Sequence, residues 1–410
     1  MHNESSTLDR NLHFVSSLLV FLFSATLLAS GKSYSYIAFI LAIFSFFILP
    51  ITLKKKVPIK AYRLWFLMSG YFFITLTSLL WNGGDLSNLD APSRSILLFP
   101  ALIFLLSYPP KKEWVLKGIL LGSFISGLIA LYHTQILNIR AFSSFKYMVI
   151  QSGNIAASLG VLSFVIFFYF FKEKNKNLSI LSLISSLLGI FASLLSGARG
   201  GWVLLPFVLI WLLIINRHLI PKKMITGMMI IGILSSLLGY HIAEKRIALV
   251  FDDITQLTEK NDPDSSSGSR ILMWKAGVYA FKSAPIFGIG YDNRKDFLKE
   301  LVNKNKVNAL VLRHGRLHSN YIEELAMKGI IGFISLMTFF LAPIYFFLCK
   351  KNLRNNVFAQ LGVTHIILVM GYCLTQNYIN HQSGMIQYLM FVIIFYSIFF
   401  NETIKKKKEK

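Results

Sequence analysis

Two arginines stand in segments that are otherwise small or apolar. Arg199 belongs to Ser196–Trp202, a very short turn between two apolar runs, and Arg270 belongs to Gly268–Trp274. A charge at membrane depth is costly, so such an arginine is usually paired or functional, and flanking glycines let a ligand approach the backbone. Alternatively, Arg199 extends its side chain to the lipid headgroups. Arg270 could equally be a surface residue of an amphipathic helix.

His318 is the candidate for proton transfer. It lies in the polar segment His314–Leu325, at the start of a long apolar run. If a helix begins near His318, the positive end of the helix dipole disfavours the imidazolium form. The ring is then neutral, as a general base requires. The alternative is a histidine that only makes structural hydrogen bonds.

Other polar groups carry weaker signals. Asp262-Pro263-Asp264 resembles an acidic pair that holds a metal, but its Ser/Asp-rich surroundings favour a solvated turn. Gly288-Ile289-Gly290 lacks the strand and helix of a nucleotide-binding loop and is better explained as a turn. His381 could line a site or be an ordinary interfacial histidine. No spacing typical of metal ligands relates His133, His241 and His365.

The composition places these residues in a membrane protein. Of the 410 residues, 54% are hydrophobic and 15% are charged, whereas a soluble domain carries about 25% charged residues. The net charge of +23 falls in short basic clusters between apolar runs. This distribution is typical of membrane topology signals and argues against nucleic-acid binding. The two cysteines indicate neither a disulfide framework nor a metal cluster.

Apolar runs long enough to cross a membrane recur along the chain. They predict an all-α integral membrane protein of about twelve transmembrane helices. The first run is too long for a typical cleaved signal peptide, and more runs follow it directly. The predicted spans are Leu12–Ser30, Tyr34–Leu53, Tyr62–Trp81, Ser93–Tyr108, Trp114–Gln135, Met148–Phe171, Leu178–Leu195, Gly201–Ile215, Met224–Ile242, Ile322–Leu348, Val357–Tyr378 and Met385–Phe400.

Basic residues alternate between the connecting loops. They follow the even-numbered spans, whereas the short loops after odd-numbered spans are poor in lysine. By the positive-inside rule, both termini are predicted to be cytoplasmic. The basic positions include Lys54, Lys55, Lys56, Lys111, Lys112, Lys172, Arg217, Lys350, Lys351 and Lys405–Lys408.

One long outer loop interrupts this alternation. Within it, Ile271, Trp274, Val278 and Phe281 recur at helical spacing. This apolar stripe could lie on the membrane surface or against the helix bundle. The predicted division of the chain is transmembrane helices 1–9 in residues 1–242, the large outer loop or cap in residues 243–321, and transmembrane helices 10–12 with a basic tail in residues 322–410.

Together, these features resemble the O-antigen ligase and polymerase superfamily of bacterial inner membranes. The topology is similar over essentially the whole chain. The motifs that carry the resemblance are Ser196–Trp202, Gly268–Trp274 with Ala284–Gly290, and Leu317–Gly332. The last is the most specific, because a His-x-Asn pattern, an aromatic residue and a glutamate precede Lys328-Gly329-Ile330-Ile331-Gly332.

The resemblance implies both a fold and a reaction. The fold is a GT-C-like glycosyltransferase architecture with a partly helical periplasmic cap. The reaction is transfer of a glycan from undecaprenyl diphosphate to a sugar hydroxyl of lipid A–core, at the periplasmic face of the inner membrane. The implied partners are this lipid-linked donor, the lipid A–core acceptor and membrane lipids. The displacement is expected to invert the anomeric centre and to need no metal and no other cofactor.

The resemblance also implies roles for individual residues. Arg199 and Arg270 match the family's diphosphate-binding arginines, and His318 matches its proposed catalytic histidine. Arg140, in another outer loop, resembles a further family arginine, although the following stretch Ala141–Ile150 departs from the usual pattern.

Two alternative functions stay open. A polymerase of the same superfamily would transfer the glycan to another repeat unit; the modest length, the single large outer loop and the lack of an appended C-terminal domain favour a ligase. A transporter or flippase for lipid-linked glycans would also use intramembrane arginines, but it needs no general base. The absence of a visible internal repeat also argues against a transporter.

Overall fold

The computed structural model describes residues 7–145, 149–221, 266–348 and 353–408, together with positions 223 and 227. Within those ranges the chain forms α-helices joined by short turns and contains no β-strand, which confirms the all-α prediction. The helices are α1 (Thr7–Thr26), α2 (Ser33–Phe47), α3 (Leu49–Leu53), α4 (Arg63–Asn82), α5 (Asp90–Leu97), α6 (Phe99–Ser107), α7 (Lys112–Leu131), α8 (Val149–Lys172), α9 (Lys176–Ser196), α10 (Leu205–Asn216), α11 (Ser266–Ser283), α12 (Arg294–Asn303), α13 (Asn320–Leu348), α14 (Val357–Thr375) and α15 (Gln382–Lys408).

Nine segments of the described chain are long and apolar enough to cross a membrane. They overlap the third to eighth and the tenth to twelfth predicted spans, which confirms an integral membrane protein. The ninth predicted span, Met224–Ile242, and the pair Asp262 and Asp264 lie outside the described ranges, so the total of about twelve spans stays a prediction. The nine segments are Ile59–Asn82, Leu86–Ser107, Lys112–Ile136, Val149–Lys172, Lys176–Ser196, Arg199–Asn216, Asn320–Leu348, Val357–Thr375 and Gln382–Ile404.

Polar and glycine caps set the ends of several of these helices. The side chain of Asn175 accepts a hydrogen bond from the backbone of Leu178 at the start of α9, and Asn356 caps α14 in the same way. Such caps satisfy amide groups that the helix itself leaves unpaired. At the other end of α9, Gly197 takes the left-handed conformation, with φ of 64°, and ends the helix. This stop directly precedes the turn that carries Arg199.

Helices α8 and α15 form the centre of the bundle. Nearly all residues of their apolar segments are buried inside the protein, whereas most of α10 and α13 lies at the surface. Phe66, Phe207 and Ile334 are examples of large apolar side chains that are exposed on the outer helices. These exposed groups suit a surface that faces hydrocarbon, because the backbone behind them is fully paired within its helix.

Helices α8 and α9 pack closely because two glycines face each other. A Cβ atom added at Gly189 would lie 2.8 Å from the Cα atom of Gly160. A Cβ atom at Gly160 would in turn lie 3.0 Å from the carbonyl carbon of Gly189. Small residues permit this approach, and close packing supports helix association in membranes. Since α9 continues into the turn at Gly197, this packing helps to position Arg199.

Residues 266–319, here called the cap, carry a second and smaller apolar core. Helix α11 packs against α13, and its buried face is formed by small and flexible side chains. Of the predicted apolar stripe, Ile271 and Val278 are exposed, whereas Trp274 and Phe281 are half-buried, so the stripe lies at the edge of the packed face. The core of the cap consists of Met273, Ala276, Ala280, Leu298, Leu301, Val307, Val311 and Leu317, with Ala326 and Met327 of α13.

A loop of the cap stabilises a break in α13. The break is at Gly329, where φ is 63° and ψ is −159°, a conformation that is essentially restricted to glycine. The N–H groups of Ile289 and Gly290 each donate, at 3.0 Å, to a carbonyl that precedes the break, and the N–H of Ile330 donates to the carbonyl of Pro285 at 2.8 Å. Unpaired backbone groups are costly at membrane depth, so these hydrogen bonds make the break tolerable.

The same loop contains the glycines of the Gly288-Ile289-Gly290 segment. Gly288 and Gly290 have φ angles of 71° and 81°, so the prediction of a turn here is confirmed. A Cβ atom at Gly288 would collide with the backbone of Met327 and Lys328. The glycines therefore serve close packing of two backbones.

Candidate active site

His318 lies at the end of the cap, directly before α13. A helix does begin near His318, since α13 starts two residues later, at Asn320. The backbone of His318 is in the left-handed region, with φ of 52°. This conformation is uncommon for residues other than glycine and indicates a position held by its surroundings. The carbonyl of Ser319 accepts a hydrogen bond from the N–H of Glu323, which holds the first turn of α13 against this connection.

The ring of His318 contacts the end of α14. Its Nδ1 atom lies 3.3 Å from Oε1 of Gln376, the residue that follows α14. Burial lowers the pKa of His318 from its ordinary value of 6.5. The hydrogen bond with Gln376 opposes this shift, and the charge of Arg270 adds to it. The imidazole is therefore neutral at neutral pH and able to accept a proton.

Arg270 lies within electrostatic range of both His318 and Arg199. Arg270 is near the start of α11 and is partly buried, and Arg199 is on the turn after α9. Burial lowers the pKa of the Arg270 guanidinium, and the nearby charge of Arg199 lowers it further. Within the part of the chain that the structure describes, neither guanidinium forms an ion pair with a carboxylate. The two arginines thus present like charges that an anion could neutralise.

Glycines in the turn explain how Arg199 is held in place. The turn is a single 3₁₀ segment, Arg199–Trp202. A Cβ atom at Gly200 would collide with the hydroxyl of Thr375, and one at Gly201 would collide with the side-chain oxygen of Asn154. The turn therefore sits directly on α8 and on the end of α14. Because Gln376 follows Thr375, the same end of α14 supports both the arginine turn and the ring of His318.

Arg140 reaches the same turn from the preceding loop. Its Nε atom donates a hydrogen bond to the carbonyl of Ser196, and its guanidinium packs against Gly197. The structure thus places Arg140 beside the segment that carries Arg199. These contacts with the turn support the position of Arg199, and the guanidinium adds positive charge near it.

A buried carboxylate at the site pairs with other arginines. The side chain of Glu323 is fully buried, and its Oε2 atom accepts a hydrogen bond from the N–H of Leu317 at 2.8 Å. Its Oε1 atom lies 3.5 Å from Nη1 of Arg316 and 3.8 Å from Nη1 of Arg294. These contacts join the cap to α13. Glu323 therefore pairs with arginines other than Arg199 and Arg270.

His381 lies on the side of the site formed by the loop between α14 and α15. Burial lowers its pKa to about 4, and the charges of Arg316 and His318 lower it further. His381 is therefore near the site, as one of the two sequence interpretations proposes, and it is neutral at neutral pH.

A buried polar network that includes Glu324, the residue after Glu323, joins α13 to α4. Glu324 forms an ion pair with Lys328, and both side chains are fully buried. The hydroxyl of Tyr71 donates to Glu324 at 2.9 Å, and the ammonium of Lys328 donates to the hydroxyl of Thr75 at 2.9 Å. Removing one member of such a pair would leave a buried charge without its partner.

Two residues that shape the site carry no sequence signal of their own, Gln376, which contacts His318, and Arg294, which pairs with Glu323. Glu323 itself belongs to the motif Leu317–Gly332, whereas Arg294 lies in the polar helix α12 of the cap. Gln376 is 58 residues away from His318 in sequence, and only the folded chain brings the two together.

The described residues contain no group of three or more histidine, cysteine, aspartate or glutamate side chains that could hold a metal ion. The positive charge at the site comes from arginines. The candidate acidic pair Asp262 and Asp264 lies in the part of the chain that is not described.

Comparisons with known proteins identify a family. Residues 184–337, which include Arg199, Arg270 and His318, match the O-Antigen ligase family. The chain is 34% identical over 396 residues to an uncharacterized protein of Haemophilus influenzae, covering 94% of this chain and 99% of that one. It is 26% identical over 316 residues to an O-antigen ligase of Escherichia coli K12, covering 72% of this chain and 73% of that one. The chain belongs to the O-antigen ligase superfamily.

Proposed function

We propose that this protein transfers a glycan from undecaprenyl diphosphate to a sugar hydroxyl of lipid A–core. The superfamily supports a glycan-transferring enzyme, and the proposal is carried by the position of Arg270, which lies within electrostatic range of both Arg199 and His318. Two guanidiniums that pair with no carboxylate of the described ranges suit an anion that departs, and a neutral imidazole suits a hydroxyl that must lose its proton.

The arginines act on the leaving group. The bond that breaks joins the anomeric carbon of the glycan to an oxygen of the diphosphate, and negative charge grows on that oxygen. Arg199 and Arg270 donate hydrogen bonds to the diphosphate, each worth about 1.5–3 kcal/mol when a charged group takes part. Arg140 holds the turn of Arg199 and adds positive charge. Because these groups already carry the charge that a divalent cation would supply, we expect the reaction to be independent of metal.

His318 acts on the acceptor. Its imidazole takes the proton of the acceptor hydroxyl while the hydroxyl oxygen forms a bond to the anomeric carbon. The diphosphate leaves from the opposite side of that carbon, so a single displacement inverts the configuration. Burial favours this role, because it keeps the ring neutral and strengthens electrostatic interactions near the developing charges.

We further propose that the site is periplasmic and that the protein lies in the bacterial inner membrane with both termini in the cytoplasm. The loops rich in lysine, such as those at Lys54–Lys56 and Lys111–Lys112, are at the ends of helices opposite to the site. The positive-inside rule assigns these loops to the cytoplasm.

A ligase is preferred over a polymerase as the specific activity. The support is the similarity to the Escherichia coli protein named O-antigen ligase, which extends over 73% of that protein. The two activities share a donor and differ in the acceptor, so the arrangement of arginines and histidine suits both. Only the acceptor that the purified protein uses can distinguish them.

The test is a transfer assay with purified wild type, His318→Ala and the control His218→Ala. His218 is an exposed histidine next to the opposite end of α10, so its loss should leave activity unchanged. Undecaprenyl-diphosphate-linked glycan is mixed with lipid A–core in the presence of EDTA, and the product is followed by gel electrophoresis. We expect transfer by wild type and by His218→Ala, and none by a folded His318→Ala variant.

Each other outcome changes a different part of the proposal. Full activity of His318→Ala would exclude this residue as the base. Loss of wild-type activity in EDTA, with recovery on adding a divalent cation, would contradict metal independence. A longer lipid-linked glycan formed without any use of lipid A–core would identify a polymerase.

A further inference from the structure

We propose that Gln376 is the positioning residue that fixes the tautomer of His318 and thereby selects Nε2 as the atom that accepts the proton. This inference rests on the proposed function, because it assigns a partner to the base that is proposed there.

The amide of Gln376 is placed to choose between the two ring nitrogens. Gln376 is 2% exposed, and its Oε1 atom lies 3.3 Å from Nδ1 of His318. With Oε1 facing the ring, the amide can only accept a hydrogen bond there, so this orientation of Gln376 selects the tautomer in which Nδ1 carries the ring proton. The lone pair is then on Nε2, on the far side of the ring. The opposite tautomer would turn a lone pair towards the amide oxygen and leave Nε2 as a donor, unable to act as a base.

The end of α14 holds the backbone of the histidine as well as its ring. The hydroxyl of Ser319 donates to the carbonyl of Cys373 at 3.5 Å, one turn before Gln376. On the other side, the N–H of Leu317 donates to Glu323. The residues on both sides of His318 are thus tied to helices, and this explains how its left-handed backbone is maintained. Its one hydrogen-bond partner among the described residues is the amide of Gln376, so the identity of that partner matters.

Charged groups surround the ring but do not choose its tautomer. Arg270 of α11, His314 of the cap and Glu323 of α13 each act on the pKa of His318, and His381 lies within electrostatic range. Among the described residues, Gln376 alone is within hydrogen-bond distance of a ring nitrogen. The charges therefore set how readily the ring takes a proton, while the amide sets where it does so.

A neutral partner suits a site that must also bind an anion. In many catalytic sites a carboxylate orients the histidine and stabilises its protonated form. Here a carboxylate would place a negative charge close to Arg270 and would compete with a diphosphate for it. An amide oxygen orients the ring without adding that charge. This difference predicts distinct behaviour for variants that keep or remove the acceptor oxygen.

The test compares kcat, KM and pH profiles of Gln376→Met, Gln376→Glu and the control Gln382→Met. The methionine variant keeps the length of the side chain but cannot accept the proton of Nδ1. We expect its kcat to fall about 10- to 100-fold, the usual effect of losing a partner that orients a functional histidine, with little change in KM. The glutamate variant keeps an acceptor, so it should retain more activity. Its loss of activity at acid pH should begin at a higher pH than in wild type, because a carboxylate stabilises the imidazolium and raises the pKa of His318. Gln382→Met, in the same outer region, should behave as wild type.

A second measurement needs no variant at position 376. In wild type with ¹⁵N-labelled imidazoles, the signal of His318 is assigned by its loss in His318→Ala, and its chemical shifts report which nitrogen carries the proton. We expect protonated Nδ1. A protonated Nε2, or wild-type kcat and pH profile in folded Gln376→Met, would overturn the inference. If His318→Ala itself kept full activity, the proposed base would fail instead, so the two failures are distinguishable.

Discussion

Arg199 and Arg270 place two positive charges near each other in a partly buried site, and this arrangement is unfavourable unless an anion lies between them. The lowered pKa of Arg270 expresses that cost, since burial and the charge of Arg199 both disfavour its protonated form. A diphosphate carries charge that can meet both guanidiniums at once. Under the proposed function, the repulsion in the free protein becomes attraction in the complex with the diphosphate and in the transition state.

This argument predicts the effect of Arg270→Gln. The variant loses at least one charged hydrogen bond to the leaving group, worth about 1.5–3 kcal/mol, and its turnover should fall about 10- to 100-fold. Arg270→Lys should recover only part of the loss, because an ammonium cannot donate two parallel hydrogen bonds. Turnover with saturating donor is the measurement. Arg313→Gln, an exposed arginine of the same cap, is the matched control. Equal turnover of Arg270→Gln and this control would contradict the role of Arg270.

His318 predicts the form of the pH profile. Its folded pKa is lowered, so the neutral base is present above that pKa and is lost as the pH falls through it. We expect kcat/KM to be level near neutral pH and to decline on one ionisation below pH 6.5, the ordinary value for histidine. His381 titrates near pH 4 and should not contribute at higher pH. In Arg270→Gln, the decline of kcat/KM at acid pH should move to higher pH, because the variant lacks a positive charge that lowers the pKa of His318. If this decline occurred at the same pH in Arg270→Gln as in wild type, a group other than His318 would be responsible for it.

At the scale of elements, apolar run length was sufficient to predict most membrane-spanning helices but not the orientation of α11. The thickness of the hydrocarbon core sets a minimum length for a spanning helix, and the length of each apolar run can be read from the sequence. Both faces of α11 are apolar, so periodicity could not tell which one packs. The face that packs carries the small side chains of Ala276 and Ala280, because these allow α11 to approach α13 closely. The bulkier Ile271 and Val278 lie on the exposed face.

The break in α13 predicts a strong effect of Gly329→Ala. The φ and ψ angles of Gly329 cost other residues about 1–3 kcal/mol, and an added Cβ would collide with the carbonyl of Ile286. We expect a lower apparent unfolding temperature in detergent and less folded protein. Gly70→Ala in α4 is the matched control, since a Cβ there meets no atom within 4 Å. If both variants unfolded at the wild-type temperature, the loop and the break would not contribute to stability as described.

For the whole molecule, the sequence indicates which residues can do chemistry better than it indicates what holds them. Arg199, Arg270 and His318 stand out because charged or polar groups are rare in an apolar chain. Gln376 does not stand out, because a glutamine in a polar loop is ordinary and its function depends on a contact across 58 positions. Contacts of that kind arise from how α14 meets the cap, and no local pattern encodes them.

The remaining prediction concerns which side of the membrane carries the site. Basic loops and the site are at opposite ends of the bundle, and lysine-rich loops stay in the cytoplasm. Single cysteines at the exposed positions Lys60 and Arg313 are introduced after both native cysteines are replaced by alanine. A thiol reagent that cannot cross the membrane should label Arg313→Cys in intact spheroplasts and Lys60→Cys only after lysis. The reverse pattern would put His318 in the cytoplasm. Transfer onto lipid A–core at the periplasmic face would then be impossible for this chain, whatever its family.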